Sequence, residues 1–293
     1  MSGNSPTAVA DAGPLAVVCG GGSLPIEVAR AAQRQGRGVM LLALRGSADP
    51  EAVAAFPHHW IGVGQIGHAC RYAKAAGCRD IVMIGSVLRP HVWNIRFDFF
   101  TARLLPRVIR MFRNGDDRLL TGVATLLEEQ GLRVVGAHEV APEILMPLGP
   151  QGGRQPGEAD RTDIARGLAF LRATGPFDVG QAVVISDNRV LAVEAADGTD
   201  LMLERLAELR DKGRIMARKG GGVLIKSPKP MQDRRIDLPS IGPRTVEGVA
   251  RAGLAGIAVV AGSTIVAEPD RIAAVADKAG VFVIGIPADQ PAT

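Results

Sequence analysis

LAVVCGGGSLP, at residues 15–25, is the most informative stretch of this chain. Its first five residues are apolar and predict a buried strand, three glycines follow, and Ser23-Leu24-Pro25 opens a helical pattern that runs to about Gln35. A strand, a glycine loop and a helix in this order are typical of the first unit of a parallel α/β sheet.

Later stretches have the same character. Further apolar runs that predict strands are VMLLAL (39–44), WIGV (60–63) and DIVMIG (80–85). Because they alternate with helical stretches, such as the one near 66–76, they predict a parallel sheet covered on both faces. A longer helical region is predicted over about 99–131, broken at Asn114-Gly115, and a strand RVVGA is predicted at 133–137.

The second half repeats the alternation after a polar segment, 147–160, which is rich in glycine and proline and is the best linker in the chain. A helix is predicted at 161–174, then a hairpin with strands at 182–185 and 189–195 around the turn pair Asp187-Asn188. The remaining predicted elements are helix 199–210, strand 222–227, helix 244–252, strand 256–261, helix 270–279 and strand 281–286.

The predicted organisation is a disordered tail, two domains and a linker. The bounds are 1–14 for the tail, 15–146 for an N-terminal α/β domain, 147–160 for the linker and 161–293 for a C-terminal α/β domain. The predicted fold class is α/β, with two lobes of mostly parallel sheets, a Rossmann-like N-terminal lobe and a ligand cleft between the lobes.

Composition and charge restrict the function classes. The chain is 47% hydrophobic and 22% charged, which excludes a disordered or collagen-like protein. Because 34 basic residues are nearly matched by 30 acidic ones, the net charge of +4 suits an anionic ligand better than nucleic acid. No signal-peptide pattern and no apolar run of about 18 residues is present, and the three cysteines lack metal-like spacing. We therefore expect a cytoplasmic protein.

The glycine loop is the first candidate site. Gly21, Gly22 and Ser23 precede a helix, where free backbone N–H groups and the helix dipole favour a phosphate or carboxylate. The loop matches neither G-x-G-x-x-G nor the P-loop pattern. A tight strand-to-helix turn that needs no ligand is the alternative interpretation.

A second candidate site is the loop KSPKPMQDRRIDLPSIG at 226–242. Its prolines stiffen a long polar segment whose lysines and arginines suit a diphosphate. Asp237, between two apolar residues, could bind Mg²⁺ or orient water. Lys226, Lys229 and Gln232 are further candidates, and a solvated loop with a salt-bridged aspartate is the alternative.

A third set of candidates lies upstream. Glu194 ends an apolar strand, and Thr199 and Asp200 open the next helix, where either could instead be an N-cap. Gln181, just before a strand, could contact a base or sugar. The predicted substrate-binding set is completed by Ser86 and by His138, which follows the predicted strand RVVGA at a strand's carboxyl end.

Four of the eleven aromatic residues lie in WNIRFDFF: Trp93, Phe97, Phe99 and Phe100. Spacing of 93, 97 and 100 is helical, so these side chains could form a core-facing stripe. An apolar groove for an acyl chain, or a membrane-facing patch, is the other interpretation.

Five stretches, in this order, carry a family resemblance: GGGSLP (20–25), GAHEV (136–140), VGQAVVI (179–185), AVEAADGTD (192–200) and KSPKPMQDRRIDLPSIG (226–242). GGGSLP alone would be weak evidence, whereas the last two together are highly specific. Over residues 15–287 the chain resembles the LpxI-type UDP-2,3-diacylglucosamine pyrophosphatases. The resemblance implies two α/β lobes around a lipid-binding cleft, in a homodimer.

The resemblance also implies a reaction. It is the metal-dependent hydrolysis of UDP-2,3-diacylglucosamine to UMP and 2,3-diacylglucosamine 1-phosphate, an early step of lipid A synthesis, with water attacking the sugar-side phosphorus. Asp237 matches the family's essential aspartate and is the predicted catalytic and metal-binding residue, with Mg²⁺ or another divalent cation as cofactor. Lys226 and Lys229 are predicted to stabilise the diphosphate charge. We expect a lipid-nucleotide ligand, no nucleic acid and peripheral contact with the cytoplasmic face of the inner membrane.

Three other functions stay open at this point. A nucleotide-sugar transferase or epimerase would also bind a diphosphate but would release no free UMP. A nucleic-acid-binding module would have a basic stripe with stacking aromatics, whereas the lysines and arginines here are dispersed among acids. A non-catalytic lipid carrier would tolerate the loss of the Asp237 carboxylate.

Overall fold

The computed structural model describes residues 13–87, 95–104, 106–107, 116–177, 179–215, 220–230 and 232–288. The chain forms two compact units. The first runs to Pro142 and also includes Asp233–Asp237, and the second comprises Glu143–Gln232 and the chain from Leu238 onward. Residues Asp233–Asp237 thus belong to the first unit although their neighbours in sequence belong to the second.

The first unit contains a parallel sheet with the strand order β3-β2-β1-β4-β5. Its strands are β1 Leu15–Cys19, β2 Val39–Leu44, β3 His58–Ile61, β4 Asp80–Ile84 and β5 Arg133–Val134. The central strand is β1, which places Leu15 in register with Val39 on one side and Asp80 on the other. This order is that of a doubly wound, Rossmann-like sheet, as the sequence predicts.

Helices of the first unit bury their apolar faces against this sheet. Their bounds are α1 Leu24–Arg34, α2 Pro50–Val53, α3 Ile66–Ala75, α4 Phe99–Arg103, α5 Asp116–Glu129 and α6 Ala137–Val140. One cluster joins Leu42 and Ile81 of the strands to Ala73 of α3 and Leu127 of α5, all of them fully buried or nearly so. The burial of such side chains supplies the main driving force for folding.

A six-stranded mixed sheet forms the centre of the second unit, with the order β6-β13-β11-β9-β7-β8. Its strands are β6 Gly149–Pro150, β7 Ala182–Ser186, β8 Arg189–Val193, β9 Val223–Lys226, β11 Gly256–Val260 and β13 Phe282–Ile286. The three inner strands β13, β11 and β9 are parallel, and the outer ones are antiparallel to their neighbours. Strands β10 Ser240–Ile241 and β12 Ile265–Val266 form a separate parallel pair.

Both faces of this sheet are covered by helices. They are α7 Glu158–Thr174, α8 Gly198–Asp211, α9 Pro243–Arg251 and α10 Pro269–Ala279. Leu224 of β9 packs in a cluster with Leu203 of α8, whereas its neighbours Val223 and Ile225 pack with Leu168 of α7. Because successive strand residues point to opposite faces, the uninterrupted apolar run of β9 is explained by burial on both sides.

The predicted hairpin at Asp187-Asn188 is confirmed. Both residues have a left-handed backbone, with φ of 49° and 64°, as a type I′ turn requires. The buried carboxylate of Asp163, on α7, accepts hydrogen bonds from the backbone N–H groups of Asp187 (3.2 Å) and Asn188 (2.8 Å). A side chain from the neighbouring helix therefore holds the turn.

The predicted strand at 133–137 is too long. Strand β5 ends at Val134, and a short helix starts at Ala137 because the Glu139 carboxylate accepts a hydrogen bond from the Gly136 N–H (2.7 Å). His138 therefore lies on helix α6 and not at the end of a strand.

The helical aromatic stripe is also wrong. Helix α4 begins only at Phe99, since the Asp98 carboxylate caps it by accepting a hydrogen bond from the Thr101 N–H (2.8 Å), so Phe97 precedes the helix. Phe100 packs against the core of the first unit, whereas Phe99 is 86% exposed. Trp93 and the predicted break at Asn114-Gly115 lie outside the described residues.

The structure describes the predicted linker and only the end of the predicted tail. In the segment predicted as the linker, 147–160, Gly149–Pro150 forms strand β6, which pairs with β13, and helix α7 begins at Glu158. Residues 1–12 of the predicted tail lie outside the described residues.

Asp80, the first residue of β4, is a buried carboxylate held by two arginines. Its oxygens accept hydrogen bonds from Arg37 (2.9 Å) and from Arg133 (2.8 and 3.0 Å). Burial alone would raise the pKa of Asp80, but the hydrogen bonds and charges of Arg133 and Arg37 outweigh it and lower that pKa. The first unit is therefore stabilised by an ionised Asp80.

We expect Asp80→Asn to lower the free energy of unfolding at neutral pH by about 2 kcal/mol, less than for a fully buried pair because Arg133 is largely exposed. Folding lowers the Asp80 pKa. The extra unfolding free energy of the wild type is therefore complete above the pKa of Asp80 in the unfolded chain, about 4, and is lost as the pH falls through the pKa in the folded protein. Urea unfolding of both proteins at neutral pH and at about pH 3 measures the destabilisation and its dependence on pH.

The matched control for this change is Glu129→Gln, which removes a charge from the exposed ion pair with Arg107. Two results would contradict a stabilising role of ionised Asp80. One is a control variant as unstable as Asp80→Asn, and the other is a loss of unfolding free energy in Asp80→Asn that does not become smaller at acid pH.

Candidate functional site

Three predicted site residues of the second unit form one hydrogen-bonded network. Glu194 follows strand β8, and its carboxylate accepts hydrogen bonds from the Thr199 hydroxyl and from the backbone N–H of Gln181 (2.8 Å). Lys226 ends strand β9, and its Nζ donates to Thr199 Oγ1 and to the backbone carbonyl of Ser240, both at 2.9 Å. We call Glu194, Thr199 and Lys226 the carboxylate–lysine network.

Both charges of the network are buried. Glu194 is 9% exposed and Lys226 is 6% exposed. Buried charges are costly unless they are paired and hydrogen-bonded, and the Thr199 hydroxyl links the two here. Gly180 makes room for Glu194, since a Cβ at this position would lie 2.5 Å from its Cγ. Lys226 Nζ thus lies within this network at the carboxyl end of β9.

The N-cap interpretation of Thr199 and Asp200 is wrong. Helix α8 begins at Gly198 with Asp197 as its N-cap residue, two residues before Thr199 and three before Asp200. The Thr199 hydroxyl is instead committed to the carboxylate–lysine network. Asp200 is exposed and forms an ion pair with Arg244 at 3.1 Å.

Lys229 and Gln232 are brought together by a tight turn. The Lys229 N–H donates to Gln232 Oε1 (2.9 Å), and the Gln232 N–H donates to the Lys229 carbonyl (3.2 Å). The side-chain amide of Gln232 thus shapes the loop that follows β9. Its Nε2 is buried and has no hydrogen-bond partner within the described part of the chain.

Asp237 lies on a turn of the first unit, Asp233–Asp237. The carbonyl of Asp233 accepts hydrogen bonds from the N–H groups of Ile236 and Asp237, both at 3.1 Å. Asp233 itself is paired with Arg235, which lowers the pKa of the Asp233 carboxyl through its hydrogen bonds. Asp237 is half-buried, between the partly buried apolar residues Ile236 and Leu238.

The glycine loop uses two of its N–H groups internally. Gly20 donates to the Ile84 carbonyl (2.9 Å), and Gly21 and Ser86 exchange two backbone hydrogen bonds (2.7 and 3.0 Å). A Cβ on Gly20 would lie 2.6 Å from the Ser86 carbonyl oxygen, so the glycine permits this close approach. Packing therefore explains Gly20 and Gly21 without a ligand, and the expectation that their N–H groups are free is wrong.

Gly22 and Ser23 keep the geometry of a helix start. Gly22 is exposed with φ +90°, and Ser23 is the N-cap residue of α1, without a hydrogen bond from its side chain to the helix. Pro25 has no N–H group and the Ile26 N–H donates to the Ser23 carbonyl (3.0 Å), so an anion at this helix start could be bound only by the N–H groups that precede Pro25.

His138 is half-buried on helix α6. Burial lowers the pKa of its imidazole, and the charge of Arg234 acts in the same direction against that of Glu139. Its Nδ1 is buried and has no hydrogen-bond partner within the described part of the chain. At neutral pH the ring is therefore mainly neutral.

A cavity of about 590 Å³ in the first unit was missed by the sequence analysis. It lies where β2 and β3 end, and its lining includes Arg45, Trp60, Tyr72 and Arg96. Two guanidinium groups beside an indole suit an aromatic anion. The rule that ligands bind at the carboxyl ends of parallel strands points to Arg45, the residue directly after β2.

The described residues do not provide a metal site of their own. Among them, no group of three or more histidine, cysteine, aspartate or glutamate side chains is placed to hold a metal ion. Asp237 offers one carboxylate, and that of the nearby Asp233 is occupied by Arg235. The donor set therefore does not fit a resident metal bound by side chains alone.

The fold defines a class: a two-unit α/β protein whose first unit is a doubly wound parallel sheet with polar groups near its strand ends. Models of the LpxI N-terminal domain and the LpxI C-terminal domain match residues 14–144 and 147–284. Over 278 residues the chain is 39% identical to UDP-2,3-diacylglucosamine pyrophosphatase LpxI of Caulobacter vibrioides, covering 94% of this chain and 99% of the relative. The chain belongs to the LpxI family.

Among solved structures, the chain is similar to a UDP-glucose-4-epimerase from Stenotrophomonas maltophila, with 10% identity over 94% of each chain. The TM-score of 0.29 is too low to support an inference. The family relationship therefore rests on the domain models and the curated relative.

The network predicts different effects for two substitutions of Thr199. Thr199→Val removes the hydroxyl between Lys226 and Glu194, so we expect the free energy of unfolding to fall by about 1–3 kcal/mol. Thr199→Ser keeps the hydroxyl and should lose much less. Urea unfolding of the two variants measures the difference, and equal losses would show that the methyl group and not the hydrogen bonds matters.

Proposed function

We propose that this protein is a UDP-2,3-diacylglucosamine pyrophosphatase of lipid A synthesis, which releases UMP and 2,3-diacylglucosamine 1-phosphate. The observation that carries the proposal is the 39% identity to the Caulobacter enzyme of that name, over 94% of this chain and 99% of the relative. It is supported by matches to both LpxI domain models, which together cover both halves of the chain.

The proposed reaction needs a positioned water and stabilised phosphate charge. A water oxygen forms a bond to the sugar-side phosphorus, and the bond from this phosphorus to the bridging oxygen breaks, so UMP leaves with that oxygen. We propose that the Asp237 carboxylate orients the water and accepts its proton. The turn that holds Asp237 through the Asp233 carbonyl supports this role because it limits the positions open to the carboxylate.

Charge on the nonbridging oxygens requires cations or N–H donors. Lys229 is the half-buried lysine of the loop after β9, and we propose that it contacts the diphosphate. Lys226 is bonded to Thr199 and Ser240, so we propose that it acts by holding the strand end and the loop in place. The residues that stay proposed for substrate binding are Gly22, Ser23, Ser86, His138, Gln181, Glu194, Thr199, Asp200 and Gln232.

We also propose that turnover requires Mg²⁺, which the assay with EDTA tests. Mg²⁺ is commonly bound through one or two carboxylates together with substrate phosphates. Asp237 alone could contribute one such ligand, and none of the roles assigned above depends on the metal.

A homodimer and contact with the cytoplasmic face of the inner membrane are proposals of the same kind. The exposed side chain of Phe99 supports the membrane contact, since an aromatic ring is suited to a bilayer interface. Within the described ranges, no helix has the length and apolarity needed to cross a bilayer. The solution mass and co-sedimentation with lipid vesicles are the measurements.

The direct test is release of UMP from UDP-2,3-diacylglucosamine by the purified protein, with Mg²⁺ or with EDTA. We expect equal amounts of UMP and the sugar 1-phosphate with Mg²⁺, and loss of both with EDTA. Substrate binding without UMP would indicate a carrier or transferase and contradict the proposal. Unchanged turnover in EDTA would remove magnesium from the proposal and leave the hydrolase in place.

Asp237→Asn tests the proposed catalytic residue with almost no change of shape. We expect kcat to fall by more than about 100-fold while the substrate still binds, as for a group that acts in the transition state. Asp270→Asn, at an exposed aspartate in the first turn of α10, is the matched control and should retain full turnover. A kcat near that of the wild type in Asp237→Asn would exclude this aspartate.

A further inference from the structure

Arg235, two residues before Asp237 on the same turn, bonds to other elements of the first unit. The turn is short: the N–H groups of Ile236 and Asp237 both donate to the carbonyl of Asp233. Two backbone hydrogen bonds define the shape of such a turn but do not attach it to the rest of the molecule. The side chains of Arg235 and Ile236 attach it to helix α5 and strand β5.

Arg235 bonds to three different parts of the first unit. Its Nε and one terminal nitrogen hold the two oxygens of Asp233 (3.1 and 2.8 Å), within the turn. The other terminal nitrogen donates to Glu128 of α5 (2.7 Å) and to the carbonyl of Val134 in β5 (3.3 Å). The guanidinium thus connects the turn, a helix and a strand.

Ile236 supplies the apolar part of the attachment. It is partly buried and packs against the hydrophobic cluster that contains Leu127 of α5 and Val134 of β5. These are the helix and the strand that Arg235 contacts, so the polar and apolar contacts fix the turn against the same surface.

The chemistry of this site requires arginine. A planar guanidinium can serve one carboxylate with two parallel N–H groups and still direct its remaining N–H groups elsewhere, whereas an ammonium is a compact point charge. Its hydrogen bonds to the carboxylates of Asp233 and Glu128 raise the pKa of Arg235, so its charge is permanent. Lysine at 235 would keep the charge and lose the shared geometry.

We propose that Arg235 is the positioning residue for Asp237, acting through Asp233, Glu128 and the Val134 carbonyl. The inference rests on the proposed pyrophosphatase function, because the position of Asp237 matters only if its carboxylate acts on the substrate. A displacement of a catalytic group by about 1 Å can reduce turnover by about 100-fold, so a firm attachment is a kinetic requirement.

Glutamates 128 and 129 provide a matched pair of variants. Glu128→Gln weakens the bond to Arg235, whereas Glu129→Gln, at the next residue of α5, weakens the similarly exposed pair with Arg107. Arg235→Lys changes the anchor itself. For each variant, kcat and KM for UMP release, the thermal midpoint and the hydrogen exchange of the Ile236 and Asp237 amides are measured.

We expect Arg235→Lys to lower kcat by about 10- to 100-fold with KM changed by less than about 3-fold, and Glu128→Gln to show a smaller decrease of the same kind. Amide exchange of Ile236 and Asp237 should be faster in both variants. Glu129→Gln should match the wild type in every readout. In Arg235→Ala, added guanidinium should restore part of the lost kcat.

Three results would overturn the inference. These are wild-type kcat in Arg235→Lys, a loss of kcat that Glu129→Gln shares, or unchanged exchange of the turn in Arg235→Lys. Failure of the proposed function looks different, since the wild type would then release no UMP. The exchange measurement still decides in that case whether Arg235 holds the turn.

Discussion

The Arg235 guanidinium is the contact on which the placement of Asp237 depends. Five residues, Asp233–Asp237, belong to the first unit although the chain on both sides belongs to the second. A segment that short cannot bury enough apolar surface to hold itself, and Ile236 contributes the one partly buried aliphatic side chain of the turn. A multidentate arginine gives the missing attachment, with a direction that a hydrophobic contact lacks.

In both units, buried charged side chains are held by several hydrogen bonds. Asp80 is held by Arg37 and Arg133 in the first unit, and Glu194 and Lys226 share the Thr199 hydroxyl in the second. Because an unpaired buried charge is so costly, such networks fix the ends of strands in definite positions. Only the network of the second unit contains residues to which we assign a role toward the substrate.

Much of the fold could be predicted from the sequence because strands buried on both faces read as continuous apolar runs, as in β2 and β9. The hairpin turn could be predicted from Asp187-Asn188, because aspartate and asparagine are among the few residue types that readily adopt the left-handed backbone that both positions need. Contacts distant in sequence could not be predicted: the bond of Arg235 to Glu128 spans 107 residues. The use of the Gly21 N–H by Ser86 was hidden for the same reason. The cavity beside Trp60 was missed because its lining comes from three separate segments.

Hydrolysis in ¹⁸O-labelled water tests the central proposal most directly, because it reports both bond cleavage and the phosphorus attacked. With UDP-2,3-diacylglucosamine as substrate and mass spectrometry of both products, one labelled oxygen is predicted in the sugar 1-phosphate and none in UMP. Label in UMP would place the attack on the other phosphorus and contradict the proposed mechanism. Absence of both products would contradict the hydrolase itself.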